Sequence, residues 1–205
     1  MRWKLLISAA VALALLACSK PLPDAEKLET IRGMYEEYSK EFPDVPALTP
    51  EQVTDEMVVV DVRTDDEIGV SRIAGAITEA KFRAGRNGLV GRKILVYCTI
   101  GARSGEYAEG LREKGFDAYN LAGSILAWAH AGKPLVDAEG KATKRLHVYG
   151  KEWDLAADGY EAQWLGHLFR ANERVRLHFL PDSGGGAVAG MHDSFGRQFV
   201  EDRAD

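Results

Sequence analysis

The chain is 205 residues long, 46% hydrophobic and 28% charged, with a net charge of −5 and two cysteines. That length suits one packed domain with tails, and so few cysteines exclude a disulfide-dense scaffold. The acidic balance argues against nucleic-acid binding, which needs a basic surface.

The N-terminus reads MRWKLLISAAVALALLACSK. Arg2 and Lys4 form a short positive region, and Leu5 to Ala17 is an apolar run too short for a comfortable membrane span. The run stops at Leu15-Leu16-Ala17-Cys18. That ending resembles the bacterial lipoprotein box, in which the cysteine becomes the acylated first residue of the mature chain. The competing reading is an ordinary signal peptide cut near Ser19. The resemblance implies a signal peptide over residues 1–17, lipidation of Cys18 and a chain tethered on the periplasmic side. Ser19 in place of an aspartate leaves outer-membrane sorting open in a Gram-negative cell. Loss of residues 1–17 removes two cations and no acid, leaving 24 Lys and Arg against 31 Asp and Glu, a net charge of −7. Lipidation of Cys18 would leave Cys98 as the one thiol. A lone thiol in an oxidising compartment is either deeply buried or reactive.

Residues 24–41 place Leu28, Ile31, Tyr35 and Tyr38 at helical spacing. This helix could pack on the domain or act as a stalk, and residues 18–48 are assigned to a tether containing it. The proline-rich FPDVPALTP reads as an extended connector. Thr49-Pro50-Glu51-Gln52 has the form of a capping box with proline at the first helical position, and the domain is taken to start there. Met57 to Val62 and Lys93 to Thr99 are apolar runs without alternation, as strands buried on both faces should be. Ser104 to Gly115 is an amphipathic helix with Tyr107, Ala108 and Leu111 inward. FDAYNLA is a third strand, and SILAWAHAG a second helix ending at Gly132 before Pro134. Strands alternating with helices predict an α/β fold with a central parallel sheet flanked by helices, over residues 49–135. Residues 136–165 form an aromatic extension, with a hairpin at Glu139-Gly140 followed by Trp153, Tyr160 and Trp164. Residues 166–205 have the composition of a disordered tail.

Cys98 falls at the carboxyl end of a strand, where open parallel sheets bind ligands. Gly101 permits unusual backbone angles in the loop that follows. The loop amides and the start of the next helix form an anion cradle. The same field favours a thiolate, and Arg103 adds a fixed cation. Such a thiolate can attack an anionic donor and carry what it receives.

The segments VVVDVRTDDEIGVSRIAGAI (59–77), ILVYCTIGARSGEYAEGLREKGF (94–116) and YNLAGSILAWAHAGKPL (119–135) together resemble the rhodanese, or sulfurtransferase, family. The resemblance implies a three-layer rhodanese-like fold and transfer of sulfane sulfur from an anionic donor such as thiosulfate to a thiol or cyanide. It implies Cys98 as nucleophile and persulfide carrier. Thr99, Ile100, Gly101, Ala102, Arg103 and Ser104 would form the substrate cradle, with Arg103 closing the loop and binding anion. Asp61 and Arg63 would support the site. Ser71-Arg72 stands where family members often have Gly-His, a departure that bears on tuning more than on the reaction.

Phosphatases and arsenate reductases related to rhodanese use a thiolate and an arginine separated by five residues. Here four residues, Thr99 to Ala102, lie between Cys98 and Arg103. The smaller ring suits one sulfur atom better than a tetrahedral oxyanion. A non-catalytic module that binds an anion or a partner is a third reading, and an inert core cysteine a fourth. Residues 80–105 carry six Lys and Arg and no acid, a stretch that either borders the pocket or lies on the far side. His130, His147 and Trp128 read as structural, and RLHVYGKEW as an added strand or edge cover. No histidine has metal-ligand spacing with Cys98 and no glycine-rich nucleotide fingerprint occurs, so neither a metal nor a cofactor is expected.

Overall fold

A computed structural model describes residues 22–150 and 153–164. Five short parallel strands form the central sheet: β1 (Ala47–Leu48), β2 (Val58–Asp61), β4 (Ile77–Thr78), β5 (Lys93–Tyr97) and β6 (Asp117–Leu121), in the order β1-β6-β5-β2-β4. A separate strand, β3 (Arg72–Ile73), precedes β4. The helices are α1 (Asp24–Ser39), α2 (Asp65–Val70), α3 (Glu79–Gly85), α4 (Ala102–Glu113) and α5 (Ser124–His130).

The absence of alternation in the two apolar runs has the consequence expected of it. Successive strand side chains point to opposite faces, and both faces of β5 are covered. Ile94 and Val96 join Phe82 of α3 and Tyr107, Ala108 and Leu111 of α4 in one core layer. Leu95 and Tyr97 join Ile31 of α1 and Ile125 and Leu126 of α5 in the other. The architecture is therefore the three-layer α/β sandwich expected, with a parallel sheet between helices. Its carboxyl edge aligns Asp61 of β2 beside Tyr97 of β5, one residue before Cys98.

The boundaries drawn around residues 49–135 need correction. Residues 24–48 are part of the packed body, not a separate tether. Ile31 is fully buried, and β1 pairs with β6 in register Ala47↔Asn120. Ile31 of α1 packs in the same core layer as Ile125 and Leu126 of α5. Gln52 does accept from the Thr49 N–H, at 2.8 Å, but the turn that it caps is a short 3₁₀ helix, Pro50–Gln52.

Residues 136–150 and 153–164 are likewise integral. β7 (Leu135–Val136) and β8 (Ala142–Thr143) form the expected antiparallel hairpin, and β7 also pairs with β3. β9 (Arg145–His147) does not extend the main sheet; it pairs in parallel with β10 (Glu161–Gln163). Leu146, Val148 and Leu155 are buried in the α1–α5 core layer. The two ends of the body are clamped together. Lys27 Nζ on α1 donates to Ala156 O and Asp158 Oδ1, each at 2.9 Å, and the Asp158 N–H donates to Asp24 at 2.8 Å. Cys18 and the 166–205 tail lie outside the described residues.

Candidate active site

β5 delivers the chain to Cys98 and α4 takes it up again at Ala102, so the loop between them is short. Gly101 makes it possible. Its φ is +134°, and a Cβ there would run into the Tyr35 ring. The turn this permits lets the Gly101 N–H donate to Cys98 Sγ at 3.2 Å. Ser104 Oγ stands 3.4 Å from the sulfur and Ser124 Oγ 3.9 Å from it. The Cys98 N–H donates to Ser124 Oγ at 3.1 Å. Ser124 has φ +48°, the one positive value at a non-glycine among the described residues. A strained backbone that places a hydroxyl beside a thiol belongs with functional sites. Asn120 fastens the loop from β6. Its Nδ2 donates to Gly101 O at 2.8 Å and its Oδ1 accepts from Ser104 Oγ at 2.7 Å.

Cys98 is 2% exposed. Burial alone would push its thiol up, as a charge dislikes a low dielectric. The Arg103 charge, the Ser104 hydroxyl and the N–H groups of Ser104 and Gly101 outweigh this and hold the thiol below its ordinary value. These groups favour the thiolate form.

Arg103 does not point its fork at the sulfur. Nη1 and Nη2 donate to the two oxygens of Glu67 at 2.8 Å each, and Nη2 also lies 3.2 Å from Thr99 Oγ1. Thr99 Oγ1 in turn donates to Glu67 at 3.1 Å. The Thr64 N–H and hydroxyl donate to the same carboxylate at 3.0 Å, as the capping box of α2. Glu67 is 5% exposed. Burial opposes its charge, but Arg103 and the other donors hold it far below the usual carboxylate range. His147 of β9 brings Nδ1 to 3.5 Å from Glu67 Oε1, too far for a good hydrogen bond. Two of its N–H groups are engaged by Glu67, and its charge reaches Cys98 as a field.

Asp61 and Arg63 form a second buried pair, with Nε to Oδ1 at 2.9 Å and Nη2 to Oδ2 at 2.7 Å. Arg63 Nη2 also donates to Ser71 O at 2.7 Å, and the Tyr97 hydroxyl donates to Asp61. Tyr97 OH accepts from the Ile73 N–H at 3.1 Å. These residues lock β2, β5 and the Ser71-Arg72 segment together and do not hydrogen-bond to the sulfur.

The predicted cradle is thus divided. Gly101 and Ser104 reach the sulfur. Thr99 and Arg103 face Glu67, Ile100 packs in the core, and Ala102 opens α4. Glu67, Asn120 and Ser124 were missed. Glu67 alone carried a signal, the Thr64-x-x-Glu67 capping box; the other two are joined to the loop only by tertiary contact. In the basic stretch, Arg92 and Lys93 lie at the start of β5, one strand length, about 17 Å, from Cys98. Arg92 there donates to Glu56 O, and Arg83 is paired with Glu79.

The profile of the Rhodanese-like domain family matches residues 48–131. A sulfurtransferase of Allochromatium vinosum is 34% identical over 91 residues, 42% of this chain and 85% of the relative. Among solved structures, a rhodanese-related protein from Thermoplasma volcanium is similar at 26% identity and TM-score 0.40, over 44% of this chain and 97% of its own. A thiosulfate sulfurtransferase from Pseudomonas aeruginosa is similar at 23% identity and TM-score 0.43, over 54% of this chain and 23% of its own.

Proposed function

This chain belongs to the rhodanese-like domain family, of sulfurtransferase type, and from that premise we propose that Cys98 carries a sulfane sulfur as a persulfide from a small anionic donor to a thiophilic acceptor. With thiosulfate as donor, the Cys98 thiolate attacks the outer sulfur. A bond forms between Cys98 Sγ and that sulfur, the sulfur–sulfur bond of the donor breaks, and sulfite leaves with the electron pair. An acceptor thiolate or cyanide then attacks the outer sulfur of the persulfide, and Cys98 departs as thiolate. Charge balances in both steps, and no metal, cofactor or oxidant is consumed.

The observation that carries this reading is the environment of one atom. Cys98 Sγ accepts from the Gly101 N–H, touches the Ser104 hydroxyl and lies in the field of Arg103. Those groups stabilise negative charge on the attacking sulfur and on the departing one. A phosphatase or arsenate reductase on the same fold is disfavoured by the loop, which has four residues between Cys98 and Arg103 where those enzymes have five. A purely binding module is disfavoured by the presence of Cys98 with the Gly101 N–H and the Ser104 hydroxyl at its sulfur.

The proposed setting is the periplasmic face of a bacterial membrane, with the chain anchored by lipid on Cys18 and no nucleic-acid partner. It rests on the N-terminal sequence.

The test is mass spectrometry of the full protein after incubation with thiosulfate. An adduct of about 32 daltons, one sulfur, is expected on Cys98 and is absent from Cys98→Ser. An unmodified wild-type chain whose Cys98 still alkylates readily would refute sulfur transfer.

A further inference from the structure

Two ion pairs lie beside the Cys98 loop, Asp61 with Arg63 and Glu67 with Arg103. Each is neutral by itself, so a thiolate at Cys98 adds a buried negative charge in excess. A buried charge is costly unless something compensates it. His147 is placed to do so. It comes from β9, beyond residues 48–131 matched by the family. It is 5% exposed, and its Nδ1 is buried without a hydrogen-bond partner, 3.5 Å from Glu67 Oε1. The same oxygen accepts from Arg103 Nη2 and from the hydroxyl of Thr99, the residue after Cys98. β10 and α2 pack on β9. On β10 the uncharged Gln163 stands opposite His147, and Glu161 stands opposite Arg145. On α2 Asp65 and Asp66 are exposed and Glu67 is buried. The charge that His147 meets directly is that of Glu67, with Arg103 behind it.

We propose that His147 is a positioning residue of the active site, whose imidazolium holds Glu67 and so balances the Cys98 thiolate through Arg103. A neutral imidazole at 3.5 Å makes only a weak contact. A protonated one is a charged donor and is drawn onto the carboxylate. Part of the Glu67 charge is then met by His147, and more of the Arg103 charge is felt at the sulfur. In balance, the Cys98 S–H loses a proton and the His147 imidazole gains one, so the buried cluster stays neutral. Histidine is the side chain whose charge ordinarily changes between pH 5 and 8. The consequence, a nucleophile kept available into mild acid, rests on the persulfide reading of Cys98. The linked ionisation of the two side chains does not.

The experiment follows alkylation of Cys98 by iodoacetamide against pH, read at the Cys98 peptide by mass spectrometry. It uses the full-length chain as wild type, His147→Asn, His147→Gln and Leu146→Ala. Iodoacetamide is uncharged, so its rate reports the thiolate and not the attraction of an anion. Both His147 variants keep a side-chain N–H and lose the charge. They should move the midpoint of the profile up by about one unit. Leu146 is fully buried on the same strand, so Leu146→Ala loosens β9 without touching a charge and should leave the midpoint in place. A midpoint unmoved in the His147 variants, or moved equally by Leu146→Ala, overturns the proposal. Proton NMR gives the reciprocal reading, since linkage acts equally in both directions. Cys98→Ser has no thiolate, so the His147 ring should lose its charge at lower pH there than in wild type. Its signal is the one missing from His147→Asn, or the one left when the other four histidines are replaced. An unchanged ring titration overturns the proposal even if the His147 variants do not fold. If thiosulfate fails to load Cys98 yet both shifts appear, the sulfur-transfer reading has failed and the linkage stands.

Discussion

Glu67 shows how much one side chain can organise. Its carboxylate collects Arg103, Thr99 and Thr64, so it ties α2 to the active-site loop and decides which way the arginine points. Glu67→Gln keeps the shape but removes the charge, leaving Arg103 largely buried with no counterion. Breaking a buried pair in this way typically costs about 3–5 kcal/mol, so chemical denaturation should show a loss of that order. The pH dependence has a definite sign. Glu67 is depressed in the folded state, so the unfolded state takes up its proton first as the pH falls. Its contribution is complete above the ordinary glutamate value, near 4, and is lost progressively below it. Stability measured from neutral pH into acid should therefore fall more steeply in wild type than in Glu67→Gln. Equal slopes would mean that Glu67 is not the group that titrates.

At the scale of the element, α1 is the piece with two duties. Its Ile31 side fills the core against α5, and its Tyr35 side covers Gly101. Ile31→Ala removes a fully buried side chain at a helix–sheet junction, for which about 2–5 kcal/mol is the usual loss. A shift of that size in the urea midpoint at unchanged slope is the expected result. A loss under about 0.5 kcal/mol, typical of exposed sites, would return α1 to the role of a stalk. α4 is built in the complementary way. Gly105 faces the Phe42 ring so closely that a Cβ would strike it, which lets the connector after α1 lie flat on α4.

For the whole molecule, the N-terminal sequence and the folded body make separate statements. Acylation at Cys18 would bring more than one chain to the N-terminus, enough for firm membrane binding where a single chain holds only marginally. The wild type should partition with membranes, and Cys18→Ala should be released or remain unprocessed. Fractionation followed by N-terminal mass analysis decides it; a soluble wild type with an unmodified N-terminus beyond Cys18 would refute the anchor.

The fold class, the position of Cys98 and the short loop to Arg103 could be read from the chain alone, because each depends on neighbours in sequence. Non-alternating runs mark strands covered on both faces, and a thiol between strand and helix is placed by that order. The direction of the Arg103 fork, the hydroxyl of Ser124 and the packing of α1 could not. Arg103 meets Glu67 across 36 residues and Cys98 meets Ser124 across 26. Nothing local specifies such pairs; they exist because adjacent parallel strands bring distant loops to one edge. The helix 24–39 was ambiguous for the same reason. Its apolar stripe suits a stalk or a core equally well, and only the tertiary packing of Ile31 with α5 decides that it packs.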